Sequence, residues 1–128
     1  MDRRLIIDEI INDISVEYDM DFFIKRILIT IFNKIKNYDD NPFNLYEVSS
    51  AMNLSERTFH RKLNMINKSY MEVKNEARKK YSIYLLSSES YTINQISKFL
   101  FFKNTSAFIH SFKRWYGCTP KKWRSVVS

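Results

Sequence analysis

A chain of 128 residues with 45% hydrophobic and 16% aromatic residues is long enough for one domain with an extension and can fill a core. One Gly and two Pro exclude most glycine-rich nucleotide loops, and the single Cys118 excludes an internal disulfide and an all-cysteine zinc site. The net charge of +7 is unevenly divided: residues 1–40 hold six Lys/Arg against nine Asp/Glu, a net of −3, whereas residues 41–128 hold fifteen against five, a net of +10, a block that suits a polyanion such as nucleic acid or, as the other candidate, an acidic membrane surface.

Leu5, Ile6, Ile7, Ile10, Ile11 and Ile14 recur at helical spacing over residues 2–14, with Asp8, Glu9, Asn12 and Asp13 on the other side. A helix this short needs a packing partner, within the chain or outside it. Arg3 and Arg4 resemble the start of a signal peptide, but Asp8, Glu9 and Asp13 break the apolar stretch that should follow. Asp21 is placed to cap a second helix running to about Asn37, rich in Phe22, Phe23, Ile24, Ile27, Leu28, Ile31, Phe32 and Ile35. Its longest apolar run, Ile27–Phe32, is too short to cross a bilayer, which predicts a cytoplasmic protein with no membrane partner. The apolar surface of residues 1–36 suits either a compact monomer or a homodimer or heteromeric contact.

Pro42 biases Asn41 out of the helical region, so residues 38–43 form a turn. Asn44 then caps a short helix with Leu45, Val48, Ala51 and Met52 on one face, and Asn53-Leu54 turn the chain. Ser55 caps the next helix, whose core face is Phe59 and Leu63 and whose outer face is Arg57, His60, Arg61 and Asn64. A connector follows over Tyr70–Ser87, with Tyr70, Val73, Ala77, Tyr81 and Leu85 in one stripe and Lys74, Arg78, Lys79 and Lys80 as charge. Its length is roughly 27 Å at 1.5 Å per residue. That is a little under the roughly 34 Å of one DNA turn, a spacing that suits two readers on one face of a duplex.

Ile93, Ile96, Phe99 and Leu100 open a second pair, Asn104 caps its second helix, and Phe108, Phe112 and Tyr116 form the inner face. Gly117 suits a left-handed helix end and Pro120 a stop. Leu45, Val48 and Ala51 recur 48 residues later as Ile93, Ile96 and Phe99, and Phe59 and Leu63 recur 49 later as Phe108 and Phe112. This is an internal duplication of a helix-turn-helix, offset by one extra turn residue.

The region from about Phe43 to Arg124 resembles the DNA-binding domain of the AraC/XylS transcription regulators. The resemblance rests on LYEVSSAMNLSERTFHRKL, on EARKKYSIYLL in the connector, and on INQISKFLFFKNTSAFIHSFKRWYGCTPKKWR. In the last segment Phe102, Ser106, Phe108, Phe112-Lys113, Tyr116-Gly117, Thr119-Pro120 and Arg124 match the family pattern in type and spacing. The resemblance implies an all-α fold in which two helix-turn-helix subdomains are joined by a long connector helix. It places an N-terminal helical extension at 1–20 and the DNA-binding domain at 21–128, with the first helix-turn-helix at 44–66, the connector at 70–87 and the second at 92–117. Phe101 stands where the family usually has Gly; a positive φ there would cost about 1–2 kcal/mol and predicts a distorted second turn. Ser82 replaces the Ala favoured on the connector's core face. No effector pocket is expected within these residues.

Carried residue by residue, the resemblance implies base readout by Arg57, His60 and Arg61 in the first reader. The second would use Thr105, Ser106, Ile109 and His110. Arg can donate two bonds to a guanine edge. Ile109 suits either a thymine methyl or a cover for the turn. Thr58, Lys62, Asn64, Lys103, Lys113 and Arg114 are placed for phosphates, and the first reader is expected to carry most of the base specificity. Trp115 and Trp123 read as packing residues. No metal site or cofactor is expected, since the two His have no ligand partners at metal spacing, and no nucleophile–base pair or paired carboxylates point to an enzyme. The function implied is a sequence-specific duplex DNA-binding regulator, with activators the commoner type in the family and RNA polymerase a candidate partner. The alternative is an interaction protein that binds another regulator or RNA polymerase through its N-terminal helices and has weak DNA specificity.

Overall fold

The computed structural model describes residues 2–127, and these form eight helices with no strands: α1 (Arg3–Ser15), α2 (Phe22–Lys36), α3 (Leu45–Ala51), α4 (Glu56–Met65), α5 (Tyr70–Ser87), α6 (Ile93–Phe99), α7 (Thr105–Tyr116) and α8 (Pro120–Val127). They divide into two compact units, residues 2–77 and residues 78–127. Helix α5 contributes residues to both.

Caps explain the helix starts. Asp2, Asp21, Asn44, Ser55, Thr92 and Asn104 each accept a backbone N–H of the first helical turn that no carbonyl within the helix can reach. Thr92 and Gln95 cap each other's backbone N–H reciprocally, and Ser69 and Glu72 do the same ahead of α5. Gly117 ends α7 at φ 80°, in the left-handed region. Pro120 stops nothing; as the first residue of α8 it occupies a position where its missing N–H has no helical partner anyway.

In the first unit α1 packs along α2. Ile6, Ile7, Ile10 and Ile14 are buried with Ile27, Leu28, Ile31, Phe32 and Ile35. The apolar stripe of α1 is therefore covered within the chain. Leu5, placed in that stripe by its spacing, is 57% exposed, and Phe22 at the start of α2 is 74% exposed. Each sits beyond the seam that the partner helix covers. Lys25 closes the α1–α2 link, its Nζ donating to the carbonyls of Ser15 (3.2 Å) and Glu17 (2.7 Å). Phe59 of α4 is fully buried, with the rings of Phe23 and Tyr70 both 5.6 Å away. Tyr70 donates its hydroxyl to the Phe43 carbonyl at 2.7 Å, and burial pushes its pKa well above the ordinary tyrosine value.

The second unit is built on an aromatic core. Phe108 and Phe112 are fully buried with Tyr81, Leu85, Leu86, Ile96 and Leu100. Phe112 lies 4.8 Å from the Tyr116 ring and 6.5 Å from Trp123, and Trp115 lies 6.1 Å from Phe102. Both tryptophans are half-buried packing residues. Arg124 returns to the end of α5, donating Nε to the Leu86 carbonyl at 3.1 Å.

Candidate nucleic-acid interface

The two helix pairs, α3–α4 and α6–α7, share one local construction, with the first helices and turns 48 residues apart and the second helices 49 apart. Val48 and Ile96 are buried, as are Ser49 and Ser97, and Met52 and Leu100. Each serine hydroxyl donates to the carbonyl three residues back, Tyr46 at 3.1 Å and Asn94 at 2.7 Å, so a polar group can be buried without an unmet bond. The turns close on the same bond. Leu54 N–H reaches Ser49 O at 2.9 Å, and Phe102 N–H reaches Ser97 O at 3.0 Å. The residue before each has positive φ, Asn53 at 59° and Phe101 at 61°. Two expectations change here. Ala51 is exposed and Phe99 only half-buried, so the serines rather than these residues complete the inner faces. The second turn is not distorted: Phe101 takes the left-handed conformation and keeps the hydrogen bonds of the first turn.

After each turn a capped helix presents its outer face to solvent. On α4, Phe59 and Leu63 point inward and Arg57, His60, Arg61, Lys62 and Asn64 are exposed. Arg57 and Arg61 are one helical turn apart and so share a side. Thr58 is half-buried, with its Oγ1 3.1 Å from the Ser55 hydroxyl of the cap. Lys62 extends over the Phe23 ring at 6.0 Å. On α7, Ser106, His110, Lys113 and Arg114 are exposed, as is Lys103 before the helix, and Ile109 is half-buried. Thr105 is also half-buried, and its hydroxyl donates to Asn94 Oδ1 at 2.7 Å, tying α7 to α6. Among the described residues no carboxylate lies within ion-pair distance of Arg57, Arg61, Lys62, Lys103, Lys113 or Arg114. These cations are available to an external anion.

Sequence reasoning missed one contributor. Arg78 reads as surface charge on the connector, but its side chain is engaged with the second turn. Its Nε donates to Leu100 O at 2.9 Å and its Nη2 to Phe101 O at 2.7 Å, and the guanidinium stands 4.2 Å from the Phe102 ring centroid. Burial pushes its pKa down from the ordinary arginine value. No pattern of spacing signals such a contact. The Thr92–Gln95 and Ser69–Glu72 boxes, also missed, did carry a signal: a Ser or Thr followed three residues later by Gln or Glu, ahead of an apolar run.

A family model described as a helix-turn-helix domain matches residues 48–125. The chain is similar to the transcriptional activator PerA of Escherichia coli O127:H6, with 33% identity over 104 residues, covering 81% of this chain and 38% of PerA. It is similar also to the porin thermoregulatory protein EnvY of Escherichia coli K12, with 35% identity over 78 residues, covering 61% of this chain and 31% of EnvY. The chain thus spans roughly a third of the length of these relatives. Its fold is like that of a DNA-binding transcriptional dual regulator from Escherichia coli K-12 in crystal form, with a TM-score of 0.72, 22% identity, and coverage of 83% of this chain and 98% of that one.

Proposed function

The chain belongs to the AraC/XylS family of transcription regulators, and we propose from that membership that it binds duplex DNA in a sequence-specific way and activates transcription. The DNA-binding domain in this reading is residues 21–128, with the first helix-turn-helix at 44–66, the connector at 70–87 and the second at 92–117; residues 1–20 are a helical extension. The reading helices are α4 and α7. In a helix-turn-helix the second helix enters the major groove and the first crosses the backbone.

The observation that carries this reading is the outer face of α4. Arg57, His60 and Arg61 are exposed, lie around one side of a capped helix, and have no carboxylate partner among the described residues. Either arginine can donate its two parallel N–H groups to guanine O6 and N7. Helix α7 offers Ser106, Ile109 and His110 to base edges, which hold no bidentate donor, and Thr105 is engaged with Asn94. The first reader therefore carries most of the base discrimination. The second contributes phosphate contacts through Lys103, Lys113 and Arg114 and responds to DNA shape. Lys62, Thr58 and Asn64 flank the first reader on the backbone.

An activator needs contact with the transcription machinery, and RNA polymerase is the partner this reading implies. No helix among the described residues is long and apolar enough to cross a membrane. The site of action in this reading is the cytoplasm, because a regulator that binds DNA and meets RNA polymerase works where both are. Burial of the α1 stripe against α2 favours a monomer over a dimer formed through residues 1–36. Light scattering on the whole chain decides that point, and a dimeric mass would remove the monomer. Binding competition decides the function: protein held on a preferred duplex should be displaced far better by that duplex than by a scrambled one of the same length. Equal displacement would leave only general polyanion binding and would end the regulator reading.

A further inference from the structure

We propose that Arg78 is a positioning residue for the second reading helix, holding the α6–α7 turn in the left-handed conformation that aims α7. The last carbonyls of a helix have no intrahelical donor. At the end of α6 the C-cap carbonyl of Leu100 is taken by the Arg78 guanidinium at 2.9 Å, and the same group takes the next carbonyl, that of Phe101 in the turn, at 2.7 Å. A charged, planar donor meeting two acceptors fixes orientation as well as distance. The same guanidinium lies over Phe102. Phe102 packs on Phe108 (5.6 Å) and Trp115 (6.1 Å), both on α7, so the contact passes from Arg78 through Phe102 to the reading helix.

The turn needs this support because of what occupies it. Phe101 sits at φ 61°, where an L side chain with a Cβ is strained. The first turn solves the same geometry with Asn53, a residue that tolerates positive φ. Arg78 and Phe101 therefore form a pair: the arginine offsets a conformation that the phenylalanine disfavours. In its effect on binding the proposal rests on α7 meeting DNA.

The test is a set of variants of the whole chain: Arg78→Gln, Arg78→Lys, Phe101→Gly, Phe101→Ala and the two doubles with Arg78→Gln. Amide exchange at Phe101 and Phe102, whose N–H groups close the turn, is measured without DNA, and affinity for a preferred duplex is measured separately. Arg78→Gln should speed exchange at both amides and weaken specific binding by about tenfold, in line with the loss of hydrogen bonds from a charged donor. Arg78→Lys, a point donor that cannot span both carbonyls, should fall between. Phe101→Gly should restore both properties in the Arg78→Gln background, and Phe101→Ala should not, because only glycine relieves the φ. Exchange unchanged by Arg78→Gln, or equal recovery by glycine and alanine, would overturn the proposal. Should Arg78→Gln fail to fold, unchanged exchange in Arg78→Lys overturns it in the same way. A parent protein with no preferred duplex would remove the DNA-binding reading, while the exchange rates still decide whether Arg78 holds the turn.

Discussion

Four exposed cations are assigned to phosphates: Lys62 beside the first reader, and Lys103, Lys113 and Arg114 around the second. Each neutralised phosphate contributes about −0.9 to the slope of log affinity against log salt, so four predict a slope of about −3.6. Between 50 and 200 mM salt that corresponds to a loss of roughly 150-fold. Replacing Lys113 and Arg114 together by Gln should halve the slope to about −1.8 and shrink the loss to roughly 12-fold. Both side chains lie on the solvent side of α7, so the fold should survive, and circular dichroism checks this. Fluorescence anisotropy of a labelled duplex across a salt series gives the slopes. Discrimination between preferred and scrambled duplexes should change little, because phosphate contacts carry no sequence information directly. A slope unchanged in the double variant would refute the assignment of these residues to phosphates.

Phe112 is fully buried among Phe108, Tyr116 and Trp123. Phe112→Ala should cost about 3–5 kcal/mol in denaturant unfolding, and a loss below about 1 kcal/mol would contradict the aromatic core described. Tyr70 is held neutral by burial, with a folded pKa raised above that of the unfolded chain. A raised pKa contributes stability that is present below the unfolded value of about 10 and lost as pH rises towards the folded one. Stability should therefore fall above that pH, and Tyr70→Phe should flatten the fall while losing the bond to Phe43 O; an identical alkaline profile in the variant would show that Tyr70 is not responsible.

Most helices were legible because their starts are written locally. Asp21, Asn44, Ser55 and Asn104 are short polar residues placed just before apolar periodicity, and each is a cap in the structure. The inner faces of α3 and α6 were less legible. A pattern read from apolar residues favours Ala51 and Phe99, but the buried positions are Ser49 and Ser97, admitted because each hydroxyl finds a carbonyl within its own helix. Leu5 shows the reverse: an apolar residue at the right spacing stays exposed because the neighbouring helix does not reach it. The helix over Pro120–Val127 is harder to see in the sequence because a proline reads equally as a helix stop; its place at a helix start depends on Thr119, whose carbonyl accepts from Trp123 N–H at 2.9 Å.

The candidate interface divides in the same way. The exposure of Arg57, His60 and Arg61 follows from the period of α4 once Phe59 and Leu63 are known to be inside, so the residues could be named from the sequence. Thr105 could not be judged so, because its bond to Asn94 depends on where α6 ends and α7 begins. The engagement of Arg78 with the second turn is a tertiary contact across 22 residues, and periodicity holds no information about it.

In the proposed complex α4 reads base sequence. Selection of bound sites from random duplex DNA, run with the parent protein and with Arg57→Ala and Arg61→Ala in parallel, tests it most directly. The parent should enrich one motif, with each alanine variant losing preference at a position within it by about 1–3 kcal/mol. The same motif recovered undiminished from both variants, or no enrichment by the parent, would contradict it.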